Sequence, residues 1–424
     1  MNITTSINQN ILNKAPSVSC VAIDSRLHQL DWLRVFAFGL LVLYHTAMVF
    51  VANWGFHFKS HLQSVELQYL MLVVEPWRMA SLWFISGVAL QMSFARYSTI
   101  DLLLKRSFQL LLPLLVGVLI VVPPQLYVEM LANGDLDMSF IEFLRHFYAS
   151  ESTIFDKYQA GIWPHVDVNH LWYLRSLWKY SLVLIIVAPL INNKGFINQL
   201  HSTLSSRPAI VILLSYLPLL WLQFYLDGDD KRYVSGFLFL LYGFIAANQP
   251  TLWLQLSKHL KAIAFFTVAN FVMMLLFYKL TFATSNQAPD LDWLWALRIC
   301  YSLAKLLGLV LMLSIATRYF GKRSHLVTKL NPAVYPCYIL HQTFIVVFAW
   351  LLSVYTMDGV SMFISIVLCT VLACAQSMWI IQRFNFLRLC FGMPTMQPLS
   401  KLITWIFYPV AAIGCFVIGL EILT

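Results

Sequence analysis

The stretch LDWLRVFAFGLLVLYHTAMVF, residues 30–50, is long and apolar enough to cross a lipid bilayer, yet it contains three ionisable side chains. Asp31 and Arg34 lie near its start, and His45 lies deep inside it. Ionisable side chains are costly in the hydrocarbon of a membrane, and those found there usually serve a function. The stretch therefore predicts a membrane helix that carries a functional site.

The composition of the whole chain is that of a membrane protein. Of its 424 residues, 60% are hydrophobic and only 11% are charged, whereas soluble domains contain about 25% charged residues. Apolar runs of about 20 residues, enough for a helix to span a bilayer, recur at 31–52, 77–95, 108–128, 171–192, 208–226, 233–248, 260–280, 291–317, 332–356, 359–381 and 403–422. The sequence therefore predicts an all-α, polytopic transmembrane bundle of about 10–11 helices.

The basic residues follow the predicted membrane topology. The formal net charge is +9, but with the N-terminus in the cytoplasm most lysines and arginines fall in cytoplasmic loops, as the positive-inside rule describes. Most carboxylates fall in outer loops, and the odd number of spans puts the C-terminus outside. The positive charge is thus a topology signal, and we expect no nucleic-acid partner. The seven cysteines show no spacing typical of zinc sites, so we expect no metal.

Three segments divide the chain. Residues 1–29 are polar and lack the apolar core of a cleavable signal peptide, so we interpret them as a cytoplasmic N-terminal segment. Residues 30–390 form the predicted membrane domain, and residues 391–424 form a C-terminal segment with the last span. The longest connection, residues 129–170, lies outside in this topology, and its aromatic content argues against disorder.

Several spans carry polar side chains besides those of the first. Arg34 and His45 are eleven positions apart, so they lie on nearly one face of the first helix and about 16 Å apart along its axis. Asp31 precedes Arg34 by one turn and can pair with it. A bundle with many embedded polar groups has a cavity filled by water or a ligand. The further groups are Arg78 in the second span, His170 and Arg175 at the fourth, Tyr335, Tyr338 and His341 in the ninth, and Arg96, Lys105 and Arg106 at cytoplasmic ends.

The order of these motifs resembles the acyltransferase 3 family of integral membrane O-acyltransferases. The basic residue and the histidine of that family's first helix, with ten positions between them, match Arg34 and His45. Further motifs recur in the same order over roughly residues 30–390: FISG at 84–87, LLKR at 103–106 before LLLP, HLWYL at 170–174 and VYPCYILHQ at 334–342. The regions around FISG at 84–87 and VYPCYILHQ at 334–342 look most similar to the branch that includes the succinyltransferase of osmoregulated periplasmic glucans. Gln109 stands where many members have a second arginine.

The resemblance implies an enzyme of the bacterial inner (plasma) membrane that moves an acyl group, acetyl or succinyl, from cytoplasmic acyl-CoA to a hydroxyl of a cell-envelope glycan or glycoside. Acyl-CoA is then a co-substrate, and its phosphates suit charge-assisted hydrogen bonds. The residues expected to bind it at the inner mouth are Arg34, Arg96, Lys105 and Arg106. The oligomeric state is left open.

The expected chemistry centres on His45. A sugar hydroxyl needs a general base, and a neutral imidazole is the usual one, so His45 is the predicted base and Asp31 orients Arg34. His341 is a predicted second proton relay or oxyanion donor, a role for which Tyr335 and Tyr338 are also candidates. The predicted substrate-binding residues on the outer, acceptor side are Arg78, His170, Trp172 and Arg175, with Tyr335 deeper in the core.

Other interpretations explain some of the same residues. Asp31 and Arg34 are also consistent with anchors at the membrane interface, and Trp172 with an aromatic belt. Ser86-Gly87 is more consistent with a close helix contact than with a covalent acyl carrier. A transporter or flippase for a lipid-linked sugar would also need embedded charges, but the chain lacks the internal repeat of many transporters. The other superfamily of membrane-bound O-acyltransferases also uses an embedded histidine, but the spacing in the first helix does not fit it.

Overall fold

The computed structural model describes residues 28–149, 153–158, 168–282, 290–396 and 401–423. Almost all of the predicted N-terminal segment 1–29 lies outside these residues, as do positions 150–152 and 159–167 of the long predicted outer loop. Within the described ranges the fold is helical, and an isolated bridge between Val51 and Ser64 is the only β-type pairing. The predicted all-α fold class is therefore confirmed.

The helices follow the apolar runs of the sequence. In chain order they are α1 His28–Met48, α2 Leu67–Phe94, α3 Thr99–Val116, α4 Pro123–Ala132, α5 Phe140–Tyr148, α6 Trp172–Ile191, α7 Lys194–Ser206, α8 Pro208–Tyr225, α9 Gly228–Ala246, α10 Pro250–Lys258, α11 Leu260–Thr281, α12 Leu291–Tyr319, α13 His325–Leu352, α14 Gly359–Arg383, α15 Asn385–Cys390 and α16 Lys401–Leu423. Short 3₁₀ turns occupy Thr153–Phe155 and Asn169–Leu171, and a π-helical turn occupies Gly117–Val121.

Several of these helices have the length and apolar composition of membrane spans. In the described part of the chain there are seven: α1, the continuous stretch Thr99–Ala132, Asn169–Ile191, α11, α12, α13 and α14. Two bent pairs, α7 with α8 and α9 with α10, raise the number to nine if each pair is one span. The bends of 114° and 103° lie where the sequence predicted short cytoplasmic loops. A multi-pass membrane protein follows from these helices.

Two glycines allow a very close contact between helices, where α2 crosses α9. A Cβ atom on Gly87 would lie 1.9 Å from the Leu240 carbonyl oxygen, and one on Gly243 would lie 1.9 Å from the Phe84 carbonyl oxygen. Because no larger residue fits, the two backbones touch directly, as small residues allow in membranes. The predicted packing role of Ser86-Gly87 is thus confirmed for Gly87.

The π-helical turn leaves backbone carbonyls without their usual helical hydrogen bonds, and side chains from other elements bond to them. Pro123 has no N–H to bond the Leu119 carbonyl four positions earlier, and that carbonyl accepts the Tyr148 hydroxyl at 2.5 Å instead. The backbone N–H of Gln125 donates to the carbonyl oxygen of Val122 rather than to that of Val121. The Val121 carbonyl oxygen instead accepts from the Thr343 hydroxyl on α13 at 2.7 Å. Such turns are frequent at functional sites. This one contacts α13, and α13 in turn packs against α1.

Candidate active site

Two histidines meet at the contact between α1 and α13. His45 Nδ1 and His341 Nε2 are 3.0 Å apart, which is a hydrogen-bond distance. Their ring planes differ by 9° and their centroids are 5.2 Å apart, so the rings meet edge to edge through this bond. His341 is fully buried, whereas His45 is half-buried. The structure therefore brings together two residues that the sequence placed 296 positions apart.

The partners of the two rings fix their tautomers. His341 Nδ1 lies 2.7 Å from the Tyr338 carbonyl oxygen, and a carbonyl only accepts hydrogen bonds. His341 Nδ1 therefore carries the proton, and its Nε2 accepts. His45 Nδ1–H must then be the donor to His341, which leaves the lone pair of neutral His45 on Nε2. This arrangement presents His45 Nε2 as a base, with His341 behind it as the orienting group.

A buried polar network holds α13 against the π-helical turn and the start of α6. Gln125 donates to Thr343 Oγ1 at 2.6 Å and lies 3.4 Å from His170 Nδ1. His170 Nε2 lies 2.9 Å from the Ile339 carbonyl oxygen, so it is the donor in that contact. The His170 ring also packs edge-on against His341, with centroids 5.5 Å apart. His170 is thus buried beside the histidine pair, deeper than the outer surface where the sequence predicted it.

Asn169 sets the position of His170. Its backbone has φ +55°, a left-handed conformation that asparagine tolerates better than most residues. This geometry turns the chain into the 3₁₀ turn that carries His170. Gln342 donates to the Asn169 side chain at 3.4 Å and to Gln125 Oε1 at 3.2 Å, so the turn and α13 are tied together.

The segment between α1 and α2 covers the histidine pair on one side. The Phe56 ring lies 6.3 Å from that of His45 and 5.4 Å from that of His57. His57 Nδ1 contacts the Glu129 carboxylate on α4 at 2.5 Å, and both side chains are partly exposed. The Phe56 ring therefore packs against His45, and the contact between His57 and Glu129 lies next to that ring. Phe56, His57 and Glu129 were not identified from the sequence, although a mixture of aromatic, His and Glu residues near a membrane edge was a usable signal.

Lys59 fixes the segment to the end of α1. Its ammonium group donates to the backbone carbonyls of Met48 at 2.7 Å and of Val51, as basic side chains commonly do at helix C-termini. Burial lowers the pKa of Lys59. Because these carbonyls close the helix just after His45, Lys59 helps to position the residues around it.

At the other end of α1, Asn331 of α13 joins the two charged residues. The Asn331 amide donates to Asp31 Oδ1 at 2.7 Å, and its oxygen accepts from Arg34 Nη1 at 3.4 Å. The predicted association of Asp31 with Arg34 therefore includes a bridging amide. Asn331 was not identified from the sequence, since its place beside α1 follows from the packing of α13.

The predicted basic mouth divides into a half-buried pair and an exposed pair. Arg106 is half-buried, donates to Ser93 Oγ at 3.4 Å, and interacts electrostatically with Arg34 and Tyr335. Arg96 and Lys105 are exposed. The Lys105 ammonium lies 2.5 Å from the Tyr97 hydroxyl, and this hydrogen bond lowers the pKa of Tyr97.

Tyr335 lies at the base of this mouth. Its hydroxyl donates to the Gln109 carbonyl oxygen at 3.0 Å. Gly392 packs against the ring in a backbone conformation with φ +68°, where a Cβ atom would come within 2.2 Å of Tyr335 Cε1. The glycine after α15 is thus needed for the segment to close on Tyr335.

The remaining predicted site residues contact two different helices. Arg78 is buried over the ring of Tyr44, 3.6 Å from its centroid. Arg175 donates to the Tyr233 hydroxyl of α9 at 2.9 Å. Trp172 packs against the same tyrosine, with ring centroids 5.9 Å apart. Arg78 therefore lies towards α1, whereas Trp172 and Arg175 face α9.

Comparisons with known proteins identify the family. Within the described ranges, no group of three or more His, Cys, Asp or Glu residues is arranged to hold a metal ion. Neither the curated proteins nor the solved structures contain a match to the chain. A family model, described as an acyltransferase domain, matches residues 27–381. This match covers most of the chain and includes both histidines, Asp31 and Arg34, and the chain belongs to the acyltransferase 3 family of membrane acyltransferases.

Proposed function

We propose that this protein transfers an acyl group from acyl-CoA on the cytoplasmic side to a hydroxyl group of a cell-envelope glycan or glycoside. The observation that carries the proposal is the histidine pair, in which His341 leaves the lone pair of His45 on Nε2. An alcohol is a poor nucleophile at neutral pH, and a positioned base that removes its proton overcomes this. His45 is therefore the general base, and His341 orients it.

The arginines at the opposite end of α1 support a nucleotide-bearing donor. Arg34 and Arg106 are close enough to interact electrostatically, and their combined positive charge favours the binding of an anionic group. The phosphates of CoA suit this position because arginine binds phosphate through charge-assisted hydrogen bonds. Arg34 and His45 are about 16 Å apart along the helix, which leaves room for an extended pantetheine arm between phosphate and thioester.

The opposite side of the histidine pair suits a polyhydroxylated acceptor. Phe56 offers a ring face, and the Glu129 carboxylate accepts hydrogen bonds from hydroxyl groups. The donor and the acceptor thus approach His45 from opposite ends. The motif similarity to the glucan succinyltransferase branch favours a periplasmic glucan as the acceptor, with acetyl or succinyl as the acyl group. The enzyme class is an acyltransferase for groups other than amino-acyl groups, in the bacterial inner membrane.

The test replaces His45 with Gln in the full-length protein and measures two quantities. Acyl-CoA binding to the purified protein is expected to change little, because the phosphates bind about 16 Å away. Acylation of envelope glycans, measured by mass spectrometry, is expected to fall by about 10²- to 10⁴-fold, the usual contribution of a general base. Thr46→Ser, at the neighbouring buried position of α1, serves as the control and is expected to retain activity.

Two results would contradict the proposal. A His45→Gln protein that acylates the acceptor at a near-normal rate would show that the imidazole is only a packed polar group. A wild-type protein that binds no acyl-CoA, but moves a lipid-linked sugar between leaflets of a vesicle, would favour the transporter or flippase alternative.

A further inference from the structure

Arg78 has two buried guanidinium nitrogens, Nε and Nη1, without a hydrogen-bond partner in the described part of the chain. The residue is only 8% exposed. A buried donor without an acceptor is unfavourable, and a buried guanidinium without one is more so. Such a group is retained where it serves a function. Arg78 is therefore placed to receive an anionic oxygen that the protein itself does not supply.

The position of Arg78 relates it to the histidine pair. Its guanidinium carbon lies 3.6 Å from the centroid of the Tyr44 ring, and Tyr44 precedes His45 in α1. Arg78 also interacts electrostatically with both His45 and His341. Negative charge that forms next to His45 during a reaction is thus within the field of Arg78.

The charges around Arg78 do not cancel. Glu75 lies one turn before it on α2, and its carboxylate accepts the Tyr301 hydroxyl of α12. Lys305, also on α12, interacts electrostatically with the same carboxylate. Arg78 and Lys305 therefore share the single carboxylate of Glu75. The net charge of this group beside Tyr44 is positive. In a medium of low dielectric constant this surplus charge attracts an anion strongly.

Other candidates for binding an oxyanion are already engaged. The Tyr338 hydroxyl donates to the His170 carbonyl oxygen at 2.5 Å, and the Tyr335 hydroxyl donates to the Gln109 carbonyl oxygen. Each phenol has a single proton to donate. Neither tyrosine is thus available to an oxyanion without breaking an existing bond, whereas Arg78 has unpaired N–H groups.

We propose that Arg78 is a catalytic residue that stabilises the oxyanion of the tetrahedral intermediate, an inference that rests on the proposed acyl transfer. The acceptor oxygen gives its proton to His45 Nε2 and bonds to the thioester carbon, whose π electron pair moves to the carbonyl oxygen. The oxyanion lies against Arg78. When it collapses, the carbon–sulfur bond breaks, and the leaving CoA thiolate takes the proton from His45. Donors that are in place before the charge forms stabilise it most effectively.

A binding experiment tests the proposal without knowledge of the acceptor. Two CoA probes are used, S-acetonyl-CoA with a neutral carbonyl and S-phosphonomethyl-CoA with a tetrahedral anion in the same place. The wild-type protein is expected to bind the anionic probe at least about tenfold more tightly, as enzymes do with analogues of a transition state. Arg78→Gln is expected to remove this preference while it leaves the affinity for S-acetonyl-CoA within about threefold.

Kinetics provide a second measurement, with a matched control. Arg78→Gln is expected to lower kcat by about 10²- to 10³-fold, as the loss of an oxyanion donor does, with little change in the KM of the donor. Arg298→Gln is the control, because Arg298 is a half-buried arginine on α12 that packs over Trp295, and it is expected to leave kcat unchanged. Arg78→Lys keeps the charge and is expected to retain part of the anionic preference.

The outcomes separate this inference from the proposed function. A wild-type protein that binds neither CoA probe contradicts the proposed function and the inference together. A wild-type protein that binds both probes equally, or an Arg78→Gln protein that keeps the anionic preference, overturns only the role of Arg78. If Arg78→Gln does not fold, the Arg78→Lys variant provides the test. A complete loss of the anionic preference in Arg78→Lys, together with an unchanged kcat, would also overturn the role of Arg78.

Discussion

The two histidines illustrate how one hydrogen bond assigns chemistry to a residue. His341 donates to a backbone carbonyl and must therefore accept from His45. In a triad with a carboxylate, the third group also stabilises the charged imidazolium. Here the supporting group is neutral, so its main contribution is the tautomer and the orientation of His45. The effect of a substitution at position 341 should therefore depend on whether the new side chain can accept the hydrogen bond from His45.

We predict that the acceptor atom at position 341 matters more than the imidazole itself. His341→Leu removes the acceptor for His45 Nδ1–H, so the lone pair is no longer held on Nε2, and acyl transfer is expected to fall by about 10²-fold or more. His341→Gln supplies an amide oxygen that can accept the same bond, and it is expected to be clearly more active than His341→Leu. Initial rates of acyl transfer, normalised to folded protein, decide between them.

A cycle with His45 provides the control for this prediction. Because the two residues act as a unit, His45→Gln combined with His341→Leu is expected to be no slower than His45→Gln alone. Additive losses would instead mean that His341 acts on the reaction separately from His45.

We predict unequal effects for the basic residues of the inner mouth. Arg106→Ala is expected to raise the dissociation constant of acyl-CoA by about ten- to a hundredfold, since a charge-assisted phosphate contact contributes roughly 1.5–3 kcal/mol. Lys105→Ala is expected to change it by less than about fivefold, because Lys105 is exposed and exposed charges interact weakly. Equilibrium binding to the purified protein measures both. Equal effects would place the phosphates at the surface rather than beside Arg34.

At the scale of helices, much of the architecture was predictable because apolar length reports a membrane span directly. Each apolar run of the sequence overlaps a helix, but the boundaries were less accurate. The first run was placed at 31–52, whereas α1 ends at Met48. The second run was placed at 77–95, whereas α2 begins at Leu67, because Glu75, Pro76 and Arg78 interrupt the apolar pattern. These interruptions belong to the polar interior that the site uses, so composition alone does not reveal that the helix continues.

The site was predictable in part for the same reason. His45, Arg34 and His341 were identifiable because ionisable groups are rare in spans. Their pairing was not, since it depends on how α1 packs against α13. Asn331, Gln125 and His57 are polar residues of ordinary appearance in the sequence, and their importance comes from contacts across 45 or more positions, as between Gln125 and His170.

The crossing of α2 and α9 leads to a prediction on stability. Gly87→Ala is expected to destabilise the protein by about 1–3 kcal/mol, because the added methyl group overlaps the backbone of α9 and the helices must separate. Gly39→Ala in α1 is the matched control, because a Cβ atom there would meet no atom of another element within 4 Å in the described part of the chain. Thermal unfolding in detergent measures both variants. A tolerated Gly87→Ala would mean that the helices are not in direct backbone contact.

At the scale of the whole molecule, helix ends gather into two polar layers. Asn192 after α6 accepts from Gln91 near the end of α2 at 2.9 Å, and from Asn248 after α9 at 3.2 Å. In the other layer, Tyr278 near the end of α11 donates to Gln68 at the start of α2 at 3.1 Å. The C-terminal ends of α2, α6 and α9 therefore share one side, and basic residues are concentrated in the loops that follow them.

The positive-inside rule assigns these layers to the two faces of the membrane, and it leads to our last prediction. Single cysteines, introduced after the seven native ones are replaced, are expected to react with an impermeant maleimide from the cytoplasmic side at Lys194, Lys258 and Lys322. They are expected to react from the outer side at Asp137, Asp229 and Thr424.

Thr424 lies outside the described residues, so its label tests the predicted orientation of the C-terminus independently. Labelling of positions 194 and 137 from the same face would contradict the layer assignment, because the segment between them would then cross the membrane an even number of times. Position 322 tests the direction of α12 most directly, because it follows the end of that helix. This direction matters because α12 packs along α2 beside Arg78. If position 322 reacts from outside, α12 runs in the opposite direction, and acyl-CoA could not reach His45 from the basic end of α1.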